Sequence, residues 1–357
     1  MFRYLTGLDY EGSAAVLFDP STEDSTRRIA LFLRPRDIEM ERWDGARFSL
    51  DSTLKGYTGF GHIKRTPYLP GMLSEAARRT KRLACLHSFA SYAADVSPDL
   101  EIFHKIVQRI PGVAIEDQTQ LLPAMRAVKS RAELALIENA IVATVAGFEA
   151  CLRVIRPGIS EKDLADLLMA TYHQHGCEAA YDLIVGTGIN GTVLHYCDNC
   201  AAIVEGDLIV MDCAAGYRGY ASDVTRTFPA SGTFTREQRD VYEIVLEAEL
   251  AGIAAAKPGA TYTEIDSAAR AVIERAGYGD AFIHGTSHPV GIEVHDVTPD
   301  GPLKPGMVIT VEPGIYLPGR GLGVRIEDDI LITDNGNRDL TAAVPKTVQA
   351  IEEALRR

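Results

Sequence analysis

The segment GDLIVMDCAAGYRGYASDVTRT, residues 206–227, places two acidic residues on what its pattern predicts to be one β-hairpin. An apolar run enters the hairpin, an alternating run leaves it, and residues 216–219 carry turn chemistry between them. Asp212 and Asp223 stand beside apolar or small residues, so both carboxylates should be buried. Two buried negative charges are costly unless a positive group lies between them, and that group is often a metal ion.

The same pattern recurs one hundred residues later, because GMVITVE at residues 306–312 matches GDLIVMD at residues 206–212. Asp212 is matched by Glu312, and a second acid follows in each copy, Asp223 in the first and Glu327 in the second. So long a period with so few copies indicates one αβ half used twice, and not a solenoid. We therefore expect two pseudo-symmetric halves that face a common cleft and contribute one pair of acids each.

Four helices are predicted ahead of these hairpins, two in each half, and each begins at a capping box. Their cap residues are Ser130 with Glu133, Ser160 with Asp163, Thr235 with Gln238, and Thr263 with Asp266. The stops of the helices recur at a shift of 101 residues. Because well-capped helices begin at Ser130, residues 118–126 are the predicted boundary between two domains, 1–122 and 123–357.

Four carboxylates from two related hairpins form an all-oxygen ligand set, which suits hard divalent ions such as Mn²⁺, Mg²⁺ or Co²⁺. His288 lies against Gly188 when the two halves are aligned, so it has no symmetric twin. A single histidine at a glycine-rich bend is more often structural, but the four acids favour its role as a nitrogen ligand. Two ions about 3.5–4 Å apart would together activate a water and polarise a carbonyl oxygen.

Three side chains are candidates for catalysis, and a fourth, Arg325, is a candidate for supporting a ligand. His195 and His295 are related by the repeat, and each could stabilise an oxyanion or orient the substrate; satisfied core histidines are the alternative. Glu312 can be both ligand and proton shuttle, because a carboxylate that binds through one oxygen can take a proton with the other. Arg325, two residues before Glu327, either holds a metal carboxylate or forms a structural ion pair.

Two other motifs are weak. Gly186, Gly188 and Gly191 match the G-x-G-x-x-G of dinucleotide sites, but TVLHYCDN after them does not begin a helix that could hold a pyrophosphate. Cys197 and Cys200 form a C-x-x-C without the second pair that a zinc finger needs. We expect no dinucleotide site, and a loop with two incidental thiols.

Composition and charge exclude several classes of function. The 357 residues, 46% of them hydrophobic, suffice for a sizeable core and about two domains. A net charge of −13 without a basic patch argues against a nucleic-acid partner. The apolar runs are judged too short for a bilayer, no signal peptide is recognised, and the six scattered cysteines are interpreted as reduced thiols. A cytoplasmic location without membrane contact is expected.

The first 118 residues mix short β runs with irregular linkers and show no titratable cluster at ligand spacing. Residues 14–18 and 29–33 are predicted strands, and residues 75–82 and 100–107 are predicted helical pieces. We interpret this region as a scaffold or lid domain, and not as a second catalytic centre.

The candidate ligands stand in three segments, MDCAAGYRGYASDVTRTF, HGTSHPVGIEVHD and VEPGIY…GVRIEDDIL, that resemble those of the pita-bread metallopeptidases. Within that family the chain is most similar to Xaa-Pro aminopeptidases, with Xaa-Pro dipeptidases (prolidases) close behind. The similarity extends to YLTG at Tyr4 and to LRPRD…WDG at residues 33–45. It implies an α+β fold: a pita-bread catalytic domain, with two αβ halves around a curved antiparallel sheet, preceded by a smaller creatinase-like α/β domain.

The resemblance also implies an activity, hydrolysis of the bond between an N-terminal residue and proline by a bridging water that two metal ions activate. Mn²⁺ is the expected metal, with Co²⁺ or Zn²⁺ as alternatives. The implied ligands are Asp212, Asp223, His288, Glu312 and Glu327. The implied catalytic residues are His195, His295 and Glu312, and the residues implied to line or brace the proline pocket are His284, Tyr316 and Arg325. Small peptides with proline at the second position are the expected partners, and the protein is expected to be a homodimer or homotetramer.

Two departures from the family leave alternatives open. The chain begins at the YLTG region, whereas relatives carry further secondary structure before it, so we interpret the N-terminal domain as truncated or the start codon as misassigned. The loop between Glu312 and Glu327 is short in the manner of dipeptidases, so a dipeptidase is the alternative activity. A metal-free enzyme of the creatinase kind and a non-enzymatic binding module are disfavoured because all five ligands are present. A methionine aminopeptidase is also disfavoured, because such enzymes lack the extra N-terminal domain.

Overall fold

The computed structural model describes residues 2–8, 12–87 and 93–356. The chain divides into two compact units, Met1–Leu122 and Pro123–Arg357. Each unit has its own sheets and its own hydrophobic clusters.

The first unit combines short strands with helices. Its helices are α1 (Phe2–Thr6), α2 (Ile38–Asp44), α3 (Ser52–Thr58), α4 (Leu69–Thr80) and α5 (Pro98–Val107). Its strands are β1 (Ala15–Phe18), β2 (Ile29–Leu33), β3 (His62–Arg65), β4 (Arg82–Cys85) and β5 (Ala114–Asp117). Strand β2 pairs antiparallel with β1 and parallel with β3, whereas β4 and β5 form a parallel pair. Parallel strands joined by helices are typical of α/β architecture.

One predicted helix of this unit has the wrong bounds. The helix predicted at residues 75–82 begins earlier, at Leu69, with Pro70 in its first turn, and ends at Thr80. Lys81 adopts a left-handed conformation that stops the helix, so Arg82 begins β4 instead. Strand β2 has the predicted bounds, because four of its five residues are buried and its apolar run is unbroken.

The second unit contains the two repeated helix pairs, which follow α6 (Leu121–Ala127). They are α7 (Arg131–Leu152), α8 (Glu161–Gln174), α9 (Arg236–Ala255) and α10 (Tyr262–Arg275). The predicted capping boxes of α7, α8 and α9 are confirmed. The fourth was wrong by two residues, because Thr261 and Glu264 form the box of α10. Thr263 and Asp266 lie inside that helix, and the shift of 101 from Ser160 already pointed to Thr261.

The remaining elements of the second unit are mostly strands. They are β6 (Glu178–Ala179), β7 (Ile184–Thr187), β8 (Leu208–Asp212), β9 (Ala215–Tyr217), β10 (Tyr220–Ala221), β11 (Thr225–Pro229), β12 (Val308–Val311), β13 (Gly314–Leu317), β14 (Leu322–Arg325), β15 (Asp328–Thr333) and β16 (Gly336–Asp339), followed by helix α11 (Val348–Leu355). The strand orders β11-β8-β7 and β12-β15-β16 form one antiparallel sheet in each half. A β-bridge between Thr225 and Glu327 joins the halves.

Each half is built on a long hairpin that keeps one register across two ladders. The first hairpin pairs β8 with β11 and β9 with β10, and it closes on Arg218 and Gly219. These two residues have φ values of 47° and 83°, as a two-residue hairpin turn requires. The second hairpin pairs β12 with β15 and β13 with β14, and its loop, residues 318–321, is two residues longer.

Helix α7 lies at the core of the second unit. By length and composition it could cross a membrane, with a mean hydropathy of 1.5, which the sequence analysis did not anticipate. Yet 44% of that window is buried inside the protein, including Ile137, Ala140 and Phe148. Phe148 belongs to the main hydrophobic cluster together with Met211 and Tyr242. A buried core helix passes the same test of length and composition, so we assign α7 to the core.

Candidate metal centre

Asp212 and Asp223 lie on the same face of the first hairpin. Asp212 ends β8 directly opposite Thr225, and Asp223 stands two residues before Thr225, so the two acids are diagonal neighbours. Only 9% of Asp212 and 4% of Asp223 is exposed. The hairpin therefore buries two carboxylates side by side.

Tyr181 connects these two acids, although no sequence pattern pointed to it. Its hydroxyl lies 2.5 Å from Oδ1 of Asp212 and 2.7 Å from Oδ1 of Asp223. Burial, and then the charge of Asp212, raises the pKa of Tyr181 well above its usual value, so the hydroxyl keeps its proton. A phenol has one proton and donates to one carboxylate at a time. The other short contact therefore calls for a further positive group between the acids.

The second hairpin brings its acids to the same point. Continuing the register of β12 and β13 puts Glu312 directly opposite Glu327. Nε2 of His288 lies 3.4 Å from Oδ2 of Asp223 and 3.4 Å from Oε1 of Glu312. Ligand atoms of Asp223, His288 and Glu327 lie within 4.8 Å of one another. Acids from both halves and the histidine thus share one centre.

The hairpin register corrects the sequence-based matching of the second acids. When Asp212 is matched with Glu312, the residues opposite them are Thr225 and Glu327, so Thr225 is the twin of Glu327. The bridge between these two residues lies where the halves meet. Counting acids along the chain failed because the second hairpin turn is two residues longer, which changes the shift from 100 before the turn to 102 after it.

By the same shift, Arg325 is the twin of Asp223, and its side chain reaches the acid of the other half. Its NH2 group donates to Oδ2 of Asp212 at 2.6 Å, and its Nε donates to Oγ1 of Thr225 at 3.1 Å. Thr225 in turn donates to Oε2 of Glu327 at 2.6 Å. Each of these two residues therefore holds an acid of the opposite half, which brings Arg325 to a carboxylate of the centre.

Strand pairing also changes the twin of His288. His288 pairs with Thr310 as Gly186 pairs with Val210, so its twin is Gly186 and not Gly188. Both candidates are glycines, so the second half alone carries a histidine here. Nδ1 of His288 lies 3.1 Å from the carbonyl oxygen of Pro289 and must carry the proton, which leaves Nε2 as the ligand atom toward the acids.

The acids are more numerous than the positive groups that contact them. Burial, and then the charges of Asp223 and Glu312, raises the pKa of Glu327 well above its usual value. Burial likewise raises the pKa of Glu312 to about 7, although His288 opposes this. Burial alone would lower the pKa of His288, but its contacts with Asp223 and Glu312 raise it to about 9. Without a cation these groups hold protons, as a ligand set for divalent ions does when metal-free.

Asp329 is another buried acid of the centre that the sequence analysis did not single out. Its Oδ2 accepts the backbone N–H of Asp223 at 3.0 Å, and its Oδ1 has no hydrogen-bond partner among the described residues. It stands two residues after Glu327, on the same face of the extended chain. That spacing is the signal that could have identified it.

The three predicted pocket residues form one hydrogen-bonded chain. NH1 of Arg325 donates to the hydroxyl of Tyr316 at 2.9 Å, and that hydroxyl lies 2.8 Å from Nε2 of His284. Nδ1 of His284 lies 2.8 Å from the carbonyl oxygen of Gly285, so Nδ1 carries the proton and Tyr316 donates to Nε2. Burial, and then Arg325, lowers the pKa of His284 to about 4, so the imidazole is neutral.

The two symmetric histidines are both exposed, so the alternative of satisfied core histidines is wrong. The ring of His295 packs against that of His288 at a centroid distance of 4.2 Å, which places it at the rim of the centre. Burial, and then the charge of His288, lowers the pKa of His295. His195 is also among the charges that act on His295.

The weak motifs have structural explanations. A short 3₁₀ turn, residues 188–192, follows β7, and no α-helix begins there that could hold a pyrophosphate. A Cβ at Gly186 would lie 2.9 Å from the backbone of Asn190, so the glycine permits close packing of this turn. All six cysteines are free, and Cys197 and Cys200 are exposed.

Comparison with known proteins covers both units. Residues 135–334 match the model of metallopeptidase family M24, and residues 1–84 match that of the aminopeptidase P N-terminal domain. A Xaa-Pro aminopeptidase of Escherichia coli is 33% identical over 98% of this chain and 87% of its own length. A Xaa-Pro dipeptidase of Pyrococcus furiosus is 42% identical, but over 61% of this chain and 64% of its own length.

A solved structure has the same fold. The zinc-substituted aminopeptidase P of Escherichia coli, in complex with product, has a TM-score of 0.86 and 31% identity to this chain. The match covers 99% of this chain and 88% of that structure.

Proposed function

Because this chain belongs to metallopeptidase family M24, we propose that it is an Xaa-Pro aminopeptidase, which hydrolyses the bond between an N-terminal residue and a following proline. Its second unit has the pita-bread fold of that family, and its first unit is the aminopeptidase P N-terminal domain. The observation that carries the proposal is the convergence of Asp223, His288 and Glu327 in a chain that matches this enzyme class over nearly its whole length.

The residues of the centre fit divalent cations. The acids are buried, and burial raises the pKa of Glu312 and Glu327, while the single proton of Tyr181 cannot serve two carboxylates at once. Two ions, with Mn²⁺ expected and Co²⁺ or Zn²⁺ as alternatives, would be held by Asp212, Asp223, His288, Glu312 and Glu327. Bound there, the ions would supply Lewis-acid activation of water and of the scissile carbonyl. Because the twin of His288 is a glycine, which offers no ligand atom in its side chain, the two positions would differ in their ligands.

The chain's own residues would move the proton and stabilise charge. Burial raises the pKa of Glu312 to about 7, which suits a group that accepts and releases a proton near neutral pH. His295, packed on His288, would donate a hydrogen bond to the oxyanion that forms at the scissile carbonyl. His195, on the matching loop of the first half, would hold the substrate beside it.

The proline pocket would be formed by His284 and Tyr316, with Arg325 behind them. An Xaa-Pro bond has no N–H to recognise, so selection must come from the shape and apolar surface of the pocket. The rings of His284 and Tyr316 lie 5.5 Å apart, and Phe282 packs edge-on against His284 at 5.1 Å. A neutral imidazole, which the lowered pKa of His284 ensures, is compatible with such a surface. We also propose that the substrates are small peptides with proline at the second position, that the protein forms a homodimer or homotetramer, and that it is located in the cytoplasm.

A dipeptidase is the second candidate, because the Pyrococcus furiosus enzyme is 42% identical over the shared region. The match of residues 1–84 to the aminopeptidase P N-terminal domain favours the first candidate. Ala-Pro-Ala and Ala-Pro assayed side by side with added Mn²⁺ distinguish the two. Release of alanine from the tripeptide is expected. Cleavage of the dipeptide alone would replace the aminopeptidase by the dipeptidase, and cleavage of neither by folded, metal-loaded protein would overturn both.

A further inference from the structure

Helix α10 carries an ion pair that lies behind the segment with His284. Asp266 and Arg270 are one turn apart, and Nε and NH2 of Arg270 donate to the two carboxylate oxygens at 3.0 and 3.2 Å. A pair at this spacing on a helix contributes little stability by itself. Both side chains, however, have further partners beyond the helix.

These partners are alternate residues of the segment that follows α10. Arg270 donates from NH1 to the carbonyl oxygen of Phe282 at 3.1 Å and from NH2 to that of His284 at 3.0 Å. Its guanidinium also lies 4.2 Å from the ring centroid of Phe282. Asp266 accepts from the backbone N–H and the Oγ1 of Thr286 at 3.2 and 2.8 Å. The ion pair thus holds the backbone of the segment at three alternate residues.

The C-terminal part of the segment hydrogen-bonds to the strand that leads to Glu312. The carbonyl oxygen of Thr286 accepts the N–H of Glu312, and that of His288 accepts the N–H of Thr310, both at 2.8 Å. The segment is not itself a strand, and only Pro289 at its end forms a β-bridge, with Ile309; its backbone polar groups are satisfied by side chains of α10 and by the strand that leads to Glu312.

The first half has no such pair. At the shift of 101, the positions of Asp266 and Arg270 correspond to Ala165 and Met169 of α8. Neither of those side chains can accept or donate as a carboxylate or a guanidinium does. The Asp266–Arg270 ion pair therefore belongs to the half that contains the proline pocket.

We propose that the Asp266–Arg270 pair is a positioning device for the pocket, which fixes His284 against Tyr316 and thereby sets the affinity for the residue that follows the scissile bond. The inference rests on the proposed function, which assigns His284 to the proline pocket. Arg270 holds both the backbone of His284 and the ring of Phe282 that packs on it. The metal ligand His288 is held separately, through Thr310, and the contact toward Glu312 runs from Asp266 through Thr286. Arg270 therefore acts on substrate affinity and not on metal binding.

Arg270→Gln tests the proposal in the full-length, metal-loaded protein with Ala-Pro-Ala. Glutamine loses the fork to Asp266 and one of the two carbonyl contacts, so KM should rise about tenfold while kcat changes less than about threefold. Arg275→Gln is the matched control, because Arg275 of the same helix pairs with Glu247 at 2.6 Å and both side chains are exposed. It should leave both constants unchanged.

A double-mutant cycle with His284→Ala distinguishes positioning from a general loss of structure. Once His284 is truncated, adding R270Q should lower kcat/KM by less than about twofold. A further tenfold loss in that background would overturn the proposal, as would an unchanged KM in folded R270Q. Mn²⁺ titration of R270Q should match the wild type, and weakened Mn²⁺ binding would also overturn it.

The proposal stays testable if R270Q does not fold. Arg270→Lys keeps the charge and the aliphatic stem and should raise KM about threefold; an unchanged KM would then overturn the inference. A folded wild type that cleaves neither peptide would overturn the proposed function and this inference together. An active wild type with insensitive Arg270 variants would overturn the inference alone.

Discussion

The two hairpins of the second unit share one scaffold but carry their acids in different places. In the first hairpin the two acids are diagonal neighbours, whereas in the second they are directly opposite. The twin positions left without an acid hold Thr225 and Arg325, and each contacts an acid of the other half. The repeat thus supplies the common backbone arrangement, and the side chains of Thr225 and Arg325 join the two halves around the metal centre.

The loops that carry the candidate histidines are also anchored differently. In the first half, the buried Glu161 accepts the N–H groups of Thr187 at 2.7 Å and Ala201 at 2.8 Å, and the hydroxyl of Tyr196, next to His195, at 2.9 Å. In the second half, the ion pair of α10 replaces this single carboxylate. Helices with the same caps therefore hold loops of different chemistry.

The largest effect is expected at Asp223, which groups from both halves contact. Asp223→Ala removes a candidate ligand and a partner of Tyr181 and His288, so hydrolysis of Ala-Pro-Ala should fall at least about 10³-fold. The rate is measured with saturating Mn²⁺, and His173→Ala, an exposed histidine of α8, is the control with unchanged rate. Activity of D223A within tenfold of wild type would mean that Asp223 of the first hairpin is not part of the metal centre.

The contact between the halves can also be tested at a second pair of twin positions, next to Thr225 and Glu327. Arg226 and Asp328 are twins of one another and form a fully buried ion pair at 2.6 Å. Arg226→Met leaves Asp328 without this partner, so the free energy of unfolding should fall by roughly 3–5 kcal/mol in urea titrations. Arg239→Gln, which breaks a part-exposed pair with Glu352, should cost less than about 1 kcal/mol. An equal loss of unfolding free energy in R226M and R239Q would mean that the Arg226–Asp328 pair does not stabilise the contact between the halves.

The neutral, largely buried His284 of the second half predicts a pH dependence of the unfolding free energy. At the shift of 102 that matches His288 with Gly186, the counterpart of His284 in the first half is Asp182, which is exposed. Burial lowers the pKa of His284 to about 4, against about 6.5 in the unfolded chain. As the pH falls through this window, the unfolded chain gains a proton that the folded chain does not, so stability falls with pH. Between pH 7 and 5 the metal-free wild type should lose about 2 kcal/mol more unfolding free energy than His284→Gln. Parallel pH profiles would contradict the buried, neutral state.

The sequence was sufficient for four of the acids and for His288 and Arg325, and insufficient for Tyr181 and Asp329. Asp212 and Glu312 could be located because each follows an apolar strand run at the same place in the repeat. Tyr181 could not, because a tyrosine ahead of a strand has no pattern of its own, and only the fold brings its hydroxyl to the acids. Local capping was ambiguous at α10, where Thr261 and Thr263 each precede an acid by three residues. There the register of the repeat was the better guide.

Mn²⁺ titration of the metal-free protein tests most directly whether the two hairpins build one centre with two unequal positions. The wild type is expected to bind two ions in two steps of different affinity. His288→Gln removes the histidine ligand, whose twin in the first half is a glycine, so it should weaken one step about 10–100-fold and leave the other nearly unchanged. A single step in the wild type, or an equal loss of both steps in H288Q, would contradict the two unequal positions.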